Sequence, residues 1–234
     1  MHPVVDVIIP ALNEELSIGK VIHGIPKKLI RTIYVCDNGS QDATVAVAQE
    51  SGAVVLTARR RGYGSACMAG IQHICTIGPA SYPDILVFLD GDYSDYPEEL
   101  DRILAPFKDP KMDLVIGSRV LGNSESGSLG LIQRFGNALA CFLIKKLYHS
   151  QFTDLGPFRA IRFTKLLDLN MEDPDYGWTV EMQIKASKNK MKFGEVPVSY
   201  RKRIGKSKIS GTIKGILGAA SKILLTIFKT YVKG

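Results

Sequence analysis

An apolar run that ends abruptly in two carboxylates constrains this chain more than any other feature. Val87-Phe88-Leu89 is followed directly by Asp90-Gly91-Asp92. Such a run predicts a buried strand, and an open α/β sheet binds its ligands at the carboxyl ends of its strands. Two acids at that position repel each other and lose hydration unless a cation is present. Because Mg²⁺ and Mn²⁺ prefer hard oxygen ligands, we interpret Asp90 and Asp92 as a metal site, with an ordinary polar turn as the alternative.

The composition indicates one α/β domain with a full hydrophobic core. The chain has 234 residues, of which 45% are hydrophobic and 23% charged, and its net charge is +7. The segment from Ser199 onward is rich in Lys and Arg and contains no Asp or Glu. This charge predicts an anionic partner. We expect no nucleic acid, because aromatic and basic residues do not alternate as in RNA-binding modules.

Cysteine usage and hydropathy predict a cytoplasmic protein. The four cysteines and four histidines lack the spacing of zinc ligands, and free thiols fit a reducing compartment. Asp6 interrupts the first apolar stretch, which therefore reads as a strand rather than a signal peptide. No uncharged apolar segment reaches the roughly 18 residues that are needed to span a bilayer.

Short apolar runs alternate with segments of helical spacing along much of the chain. This alternation predicts an α/β fold with a mostly parallel sheet that is flanked by helices on both faces. The predicted strands are Val4–Ile9, Thr32–Cys36, Ala53–Leu56, Ile85–Leu89, Leu114–Ile116, Phe158–Arg162 and Phe193–Tyr200. The predicted helices are Glu14–Gly24, Ser40–Glu50, Gly64–Cys75, Pro97–Phe107, Leu131–Leu147 and Gly177–Lys188, and Gly122–Gly130 is predicted to be a loop.

Polar turns follow each of the first four predicted strands. They are Pro10 to Glu15, Asp37 to Asp42, Arg59 to Gly64, and Asp90 to Asp92. Each alone is ordinary turn chemistry. Together on one sheet edge they predict a nucleotide pocket with acceptors for base and ribose, arginines for phosphate, and a metal clamp. Which of the three consecutive arginines at 59–61 contacts phosphate is left open.

These four segments together resemble the family 2 glycosyltransferases of the GT-A fold. The resemblance implies a metal-dependent hexosyltransferase that uses a nucleotide-diphospho-sugar with Mg²⁺ or Mn²⁺. It implies that Asp90 and Asp92 bind the metal and that Asp92 is catalytic. The implied donor-binding residues are Pro10, Asn13, Glu14, Asp37, Gly62, Gly64 and Asp90. Asn38 stands where many members carry an acid, which leaves the choice between GDP- and UDP-sugars open.

Motifs in the second half of the chain resemble those of dolichol-phosphate and polyprenol-phosphate sugar transferases. They are Gly117-Ser118-Arg119, Arg134-Phe135-Gly136-Asn137, Asp154 to Ala160, and Arg203 to Lys208. The resemblance implies inverting transfer of a hexose to polyprenyl or dolichyl phosphate. A lipid phosphate is already an anionic nucleophile, so it needs cations rather than a base. The implied acceptor-phosphate ligands are Arg119, Arg134, Arg203, Ser207 and Lys208, and Arg119 is also a catalytic candidate.

Two residues leave the acceptor open. Glu181 is either a catalytic base for a hydroxyl-bearing lipid or small acceptor, or a partner of an arginine. Trp178 either stacks on a sugar or fills the core. The alternative from another functional class is a non-catalytic nucleotide-sugar-binding or membrane-scaffold subunit.

The C-terminal segment has the pattern of a basic amphipathic helix. We expect residues 1–210 to form the GT-A domain and residues 211–234 to form a helix at the membrane interface. A terminal helix packed on the domain is the alternative. The pattern predicts a peripheral protein on the cytoplasmic face of a membrane, associated with a membrane-protein partner or as a homo-oligomer.

Overall fold

One seven-stranded sheet organises the fold in the computed structural model, which describes residues 3–205 and 213–232. Its strands are β1 (Val5–Ala11), β2 (Thr32–Asp37), β3 (Val54–Thr57), β4 (Ile85–Phe88), β5 (Leu114–Ser118), β6 (Arg159–Arg162) and β7 (Phe193–Pro197). They lie in the order β3-β2-β1-β4-β6-β5-β7. The strand β6 is antiparallel to β4 and β5, and the other neighbouring pairs are parallel. The carboxyl ends of β1, β2, β4 and β5 therefore meet at one edge.

Helices flank the sheet, as the sequence predicts. They are α1 (Ile18–Gly24), α2 (Thr44–Glu50), α3 (Tyr63–Ile77), α4 (Leu100–Leu104), α5 (Leu131–Tyr148), α6 (Phe163–Asp168), α7 (Trp178–Lys188) and α8 (Ile213–Val232). Short 3₁₀ turns lie at Lys27–Leu29, Pro79–Ser81, Pro97–Glu99 and Ala105–Lys108. No helix in the described ranges is both long and apolar enough to cross a bilayer.

The core has two halves, one on each face of the sheet. Successive side chains of a strand point to opposite faces, so Ile8 joins one half while Val7 and Ile9 join the other. Phe88 and Trp178 meet edge to face at 6.1 Å in the first half. Both faces of β1 and β4 are thus covered, which explains their unbroken apolar sequences.

Several element boundaries differ from the prediction. The helix predicted from Ser40 begins only at Thr44, because the Ser40 hydroxyl accepts the Asn13 N–H instead of capping the helix. The segment predicted as one helix from Pro97 to Phe107 is a short α-helix between two 3₁₀ turns, and a proline is the first or second residue of each turn. The sequence did not predict α6.

The C-terminal helix α8 packs against α5 and α7. Ile227 is fully buried, and the Tyr148 hydroxyl donates to the Ile227 carbonyl. Leu225, Phe228 and Tyr231 of the same helix are exposed. The boundary predicted at 210/211 lies outside the described residues, so the division into two units stays a prediction.

Close packing of α3 on the sheet predicts the effect of a single methyl group. A Cβ at Gly70 would lie 2.5 Å from Ile8 Cδ1 and 2.9 Å from Cys36 Sγ. We expect Gly70→Ala to lower the free energy of unfolding in urea by about 1–3 kcal/mol, through overpacking. A Cβ at Gly136 in α5 would meet nothing within 4 Å, so Gly136→Ala should raise the free energy of unfolding by about 0.5–1 kcal/mol. A Gly70→Ala protein as stable as the parent would contradict this packing.

Candidate active site

A polar cavity of about 350 Å³ lies at the edge where the carboxyl ends of β1, β2 and β4 meet. It is lined by residues that follow these strands, together with three from the second half of the chain. The charged and polar lining residues are Glu14, Asn38, Arg61, Tyr63, Asp90, Asp92, Asp175, Tyr176 and Arg203. Gly62 lies among them. Pro10 also lines the cavity. The geometry therefore brings together Pro10, Glu14, Gly62, Asp90, Asp92 and Arg203 from the predicted set.

Asp90 lies at the junction of apolar sheet and polar cavity. Burial, with the nearby charge of Asp92, raises the pKa of Asp90 to about 7. The Tyr63 hydroxyl donates to Asp90 Oδ1 at 3.0 Å and partly offsets this rise, as does Arg203. A pKa raised in this way shows that the site favours an additional positive charge.

Asp92 is held by its own turn on one side and by an arginine on the other. Tyr93 has a left-handed backbone (φ 61°), and the Ser94 N–H and hydroxyl fold back to donate to Asp92 Oδ1. Arg203 Nη2 lies 2.8 Å from Asp92 Oδ2 and 3.5 Å from Glu14 Oε1. Arg203 therefore joins the first and fourth polar turns across the cavity.

A third acid, Asp95, is buried near this pair. Neither of its carboxylate oxygens has a hydrogen-bond partner among the described residues. Burial and the charge of Asp90 raise the pKa of Asp95 well above its usual range. This shift favours the protonated form of Asp95, which weakens its repulsion of the pair.

The carboxylate oxygens of Asp90 and Asp92 are suitable ligands for a hard divalent ion that also binds a phosphate. The described ranges hold no group of three or more Asp, Glu, His or Cys side chains that would enclose a metal alone. Mg²⁺ sites commonly use one or two carboxylates and complete the shell with substrate phosphates and water. Two carboxylates beside an open polar cavity fit that pattern.

The second polar turn presents Asn38, rather than Asp37, to the cavity. The Asp37 carboxylate accepts the N–H groups of Gly39 and Ser40 and lies outside the lining. Asn38 Oδ1 accepts the Gly62 N–H at 2.7 Å, and its amide donates to the Arg60 carbonyl. Of the three consecutive arginines, Arg61 is the one that lines the cavity.

Two predicted donor residues instead maintain the shape of the site. Asn13 accepts the Gln41 N–H at 2.8 Å and thereby ties the first turn to the second. Gly64 has no room for a side chain, because a Cβ there would lie 2.0 Å from the Asp173 carbonyl oxygen. At Gly62 the corresponding distance to the Pro174 carbonyl oxygen is 2.2 Å. The absence of a side chain at both glycines leaves room for the backbone of residues 173–174.

A second cavity of about 540 Å³ adjoins the first and differs from it in chemistry. Five residues line both cavities, namely Tyr63, Asp90, Asp92, Tyr176 and Arg203. The second cavity also has a largely apolar wall from the loop after β5, from α5, from residues 155–157 and from α8. That wall contains Val120, Leu129, Ile132, Ala138, Leu139, Leu155, Pro157, Ile223 and Leu224.

Three arginines line this apolar cavity. Arg119, Arg134 and Arg203 are the three predicted phosphate ligands within the described ranges. Arg119 is held in a fork by Asp154, with Nε–Oδ2 at 2.8 Å and Nη2–Oδ1 at 2.7 Å. Ser207 and Lys208 lie outside the described residues.

Glu181 and Trp178 lie in the first turn of α7, away from both cavities. The Glu181 carboxylate accepts the Glu172 N–H at 2.9 Å and the Asp173 N–H at 2.8 Å, and it pairs with Lys185 at 2.8 Å. Trp178 is buried in the core. Glu181 therefore braces residues 172–173, while Trp178 packs on the sheet.

Comparison with known proteins identifies the family. The profile described as Glycosyl transferase family 2 matches residues 6–169, which include β1 to β6 and the paired acids. The chain belongs to glycosyltransferase family 2.

Individual relatives of this family 2 chain cover most of its length. An uncharacterized glycosyltransferase of Mycobacterium tuberculosis is 33% identical over 90% of this chain and 92% of the relative. A dolichyl-phosphate hexose transferase of Haloferax volcanii is 31% identical over 87% of this chain and 85% of the relative. Glucosyl-3-phosphoglycerate synthase of M. tuberculosis, solved with Mn²⁺, UDP and phosphoglyceric acid, shares the fold with a TM-score of 0.77. It is 22% identical and aligns over 98% of this chain and 78% of that chain.

Sequence reasoning did not assign four residues that this family 2 site uses. Tyr63 and Asp154 were within recognised motifs, yet their contacts with Asp90 and Arg119 depend on the folded structure. Asp175 and Tyr176 come from a segment with no motif of its own. The packing of the adjoining residues 173–174 on Gly62 and Gly64 helps to bring it to the cavity.

The hydrogen bond from Tyr63 predicts a measurable change at Asp90. A donor to the ionised carboxylate stabilises that form, so Tyr63→Phe should raise the pKa of Asp90 above about 7. Carboxyl ¹³C NMR titration measures this pKa directly. Tyr82→Phe, before the amino end of β4, is the matched control and should leave it unchanged. An unaltered Asp90 titration in Tyr63→Phe would refute the contact.

Proposed function

We propose that this chain is an inverting transferase that moves a hexose from a nucleotide-diphospho-sugar to a polyprenyl or dolichyl phosphate at a membrane surface. This proposal rests on the two cavities that share Asp90, Asp92 and Arg203. One is polar and lies at the carboxyl edge of the sheet. The other combines a hydrocarbon-like wall with arginines. These are the two chemistries of an anionic sugar donor and a phospholipid-like acceptor.

The polar cavity suits the donor. Asp90 and Asp92 would hold Mg²⁺ or Mn²⁺, and such an ion supplies Lewis-acid stabilisation of the departing diphosphate. Arg61 lies at the cavity wall as a phosphate ligand, and Asn38 fixes the turn that presents it. The solved relative with UDP and Mn²⁺ supports a nucleotide with a divalent ion here.

The acceptor cavity suits a phosphate nucleophile. A phosphate oxygen attacks the anomeric carbon while the bond from that carbon to the diphosphate oxygen breaks, and the nucleoside diphosphate leaves with the bonding electrons. Because the attacking oxygen carries no proton, this step needs no general base. The position of Glu181, with its carboxylate occupied by Lys185 and two backbone N–H groups, favours this acceptor over a hydroxyl. Arg119, Arg134 and Arg203 would hold the acceptor phosphate against repulsion from the donor.

A water-soluble phosphorylated acceptor is the second candidate. The complex of glucosyl-3-phosphoglycerate synthase with phosphoglyceric acid makes this candidate specific. The apolar wall, which includes Leu129, Leu139 and Leu224, favours a lipid instead. The dolichyl-phosphate hexose transferase among the relatives also supports a lipid acceptor.

Exposed apolar side chains support a peripheral position on a membrane, which we propose to be on its cytoplasmic face. Leu131, Ile132 and Phe135 at the start of α5 are more than half exposed, and Ile132 also lines the apolar cavity. Leu225 and Phe228 on α8 are exposed as well. Contact of these surfaces with lipid would open the cavity toward the bilayer, whether the protein acts alone, as a homo-oligomer or with a membrane-protein partner.

Transfer can be measured by incubating the protein with Mn²⁺, a labelled UDP- or GDP-sugar and short-chain polyprenyl phosphate. We expect label in the organic phase, and we expect Asp92→Asn to reduce the rate by about a hundredfold or more, because metal stabilisation amounts to several kcal/mol. Asp101→Asn, on the exposed surface of α4, is the charge-matched control and should keep the parental rate. Label only on phosphoglycerate or another soluble product would overturn the lipid assignment.

The arginines of the apolar cavity should affect the acceptor more than the donor. Arg134→Gln removes a charge-assisted phosphate contact, so the KM for polyprenyl phosphate should rise about tenfold, while the KM for the donor stays near the parental value. Lys145→Gln, an exposed cation on the same helix, controls for general charge and should change neither. Equal acceptor KM values in Arg134→Gln and the parent would remove Arg134 from the acceptor site.

A further inference from the structure

The helix α8 contacts both substrate cavities, one directly and the other through an intermediate residue. Ile223 and Leu224 line the apolar cavity. Lys222 and Thr226, one helical turn apart, face Asp173 in the segment that precedes α7. Lys222 Nζ lies 3.3 Å, and Thr226 Oγ1 3.2 Å, from Asp173 Oδ2.

Asp173 is almost fully buried and contacts Glu181, Asp175 and the helix α8. Its N–H donates to Glu181 Oε2 at 2.8 Å, and its Oδ1 accepts the Asp175 N–H at 2.8 Å. Its other oxygen faces α8. The conformation of residues 173–175 is therefore set by α7 on one side and by α8 on the other.

The same segment forms a wall of the donor cavity. The Pro174 carbonyl accepts the Ser65 N–H at 2.8 Å at the start of α3, and Asp175 and Tyr176 line the cavity. Tyr176 also lines the apolar cavity. A displacement of Asp173 would therefore also displace Asp175 and Tyr176, which line the donor cavity.

Gly177 makes the contact between Asp173 and α8 sterically possible. A Cβ at this position would lie 2.3 Å from Asp173 Oδ2 and 2.5 Å from Thr226 Oγ1. The backbone of Gly177 has φ −75° and ψ −10°, which any residue adopts without strain. An alanine here would separate the carboxylate from α8 without a backbone penalty.

We propose that Asp173 is a positioning residue through which α8 holds the donor-site wall, so that an acceptor seated against Ile223 and Leu224 tightens donor binding. The acceptor half of this inference rests on the proposed function, whereas the tether through Asp173 does not. Linkage requires the effect to be reciprocal, so the nucleotide tightens acceptor binding by the same factor. Couplings of this kind typically amount to about 5-fold or more.

The tether is tested by calorimetric titration of the full chain with UDP and with GDP, each with Mn²⁺. Gly177→Ala and the near-isosteric Asp173→Asn should weaken nucleotide binding by about tenfold, and Lys222→Met by a smaller factor. Lys229→Met, an exposed cation on the same helix, should bind as the parent does. Urea unfolding of each variant separates this effect from loss of the fold. Trp178, the only tryptophan, follows Gly177 directly, and its backbone N–H donates to the Asp175 carbonyl, so its fluorescence should change in Gly177→Ala.

Parental affinity in both Gly177→Ala and Asp173→Asn would overturn the tether. So would equal weakening in Lys222→Met and Lys229→Met, which would indicate a general charge effect. Because UDP and GDP are products, polyprenyl phosphate can be added without turnover. It should tighten nucleotide binding about fivefold in the parent and not in Gly177→Ala.

The two proposals fail separately. If label transfers to polyprenyl phosphate but this lipid leaves nucleotide affinity unchanged, the coupling is overturned and the proposed function stands. If no transfer occurs, the proposed function fails, and the affinities of Asp173→Asn and Gly177→Ala still decide the tether.

Discussion

Two carboxylates at the carboxyl end of β4 set the electrostatic requirement for the whole polar edge of the sheet. Both faces of β4 are covered, and Asp90 and Asp92 follow it at the border of the core, where their charges repel each other. Tyr63 and Ser94 each engage one carboxylate oxygen, and Arg203 engages another. The pKa of Asp90 still rises to about 7, so the pair retains a demand for positive charge. In the proposed function a divalent ion would supply that charge and would also stabilise the departing diphosphate.

The arrangement of the two cavities follows from where these acids stand. Both cavities reach the same two carboxylates, and Arg203 and Tyr176 also line both of them. The apolar side is built from α5 and α8, elements that also expose hydrophobic side chains such as Phe135 and Phe228. The exposed apolar surface and the apolar cavity are thus continuous, because Ile132 belongs to both. The tether through Asp173 would extend this continuity to the donor side.

The sequence predicted those features that depend on local pattern. Strands covered on both faces have unbroken apolar runs, so the positions of β1 and β4 and their polar ends were foreseeable. The antiparallel direction of β6 was not, because it depends on the path of the chain through α5. Asp37 and Asn38 are neighbours of similar polarity, and only the folded turn shows that Asn38 faces the cavity. Glu181 has the chemistry of a base. Its pairing with Lys185 follows the i,i+4 spacing of a helix, but its bonds to the backbone N–H groups of residues 172–173 depend on the fold.

The most direct measurement of the central claim is calorimetric titration of the intact protein with UDP-glucose and GDP-mannose, with and without Mn²⁺. If Asp90 and Asp92 hold a cation that meets the diphosphate, one donor should bind at least about tenfold more tightly when Mn²⁺ is present. The same affinity with and without Mn²⁺ for both donors, or no binding of either, would contradict a metal-assisted donor site at the carboxyl end of β4.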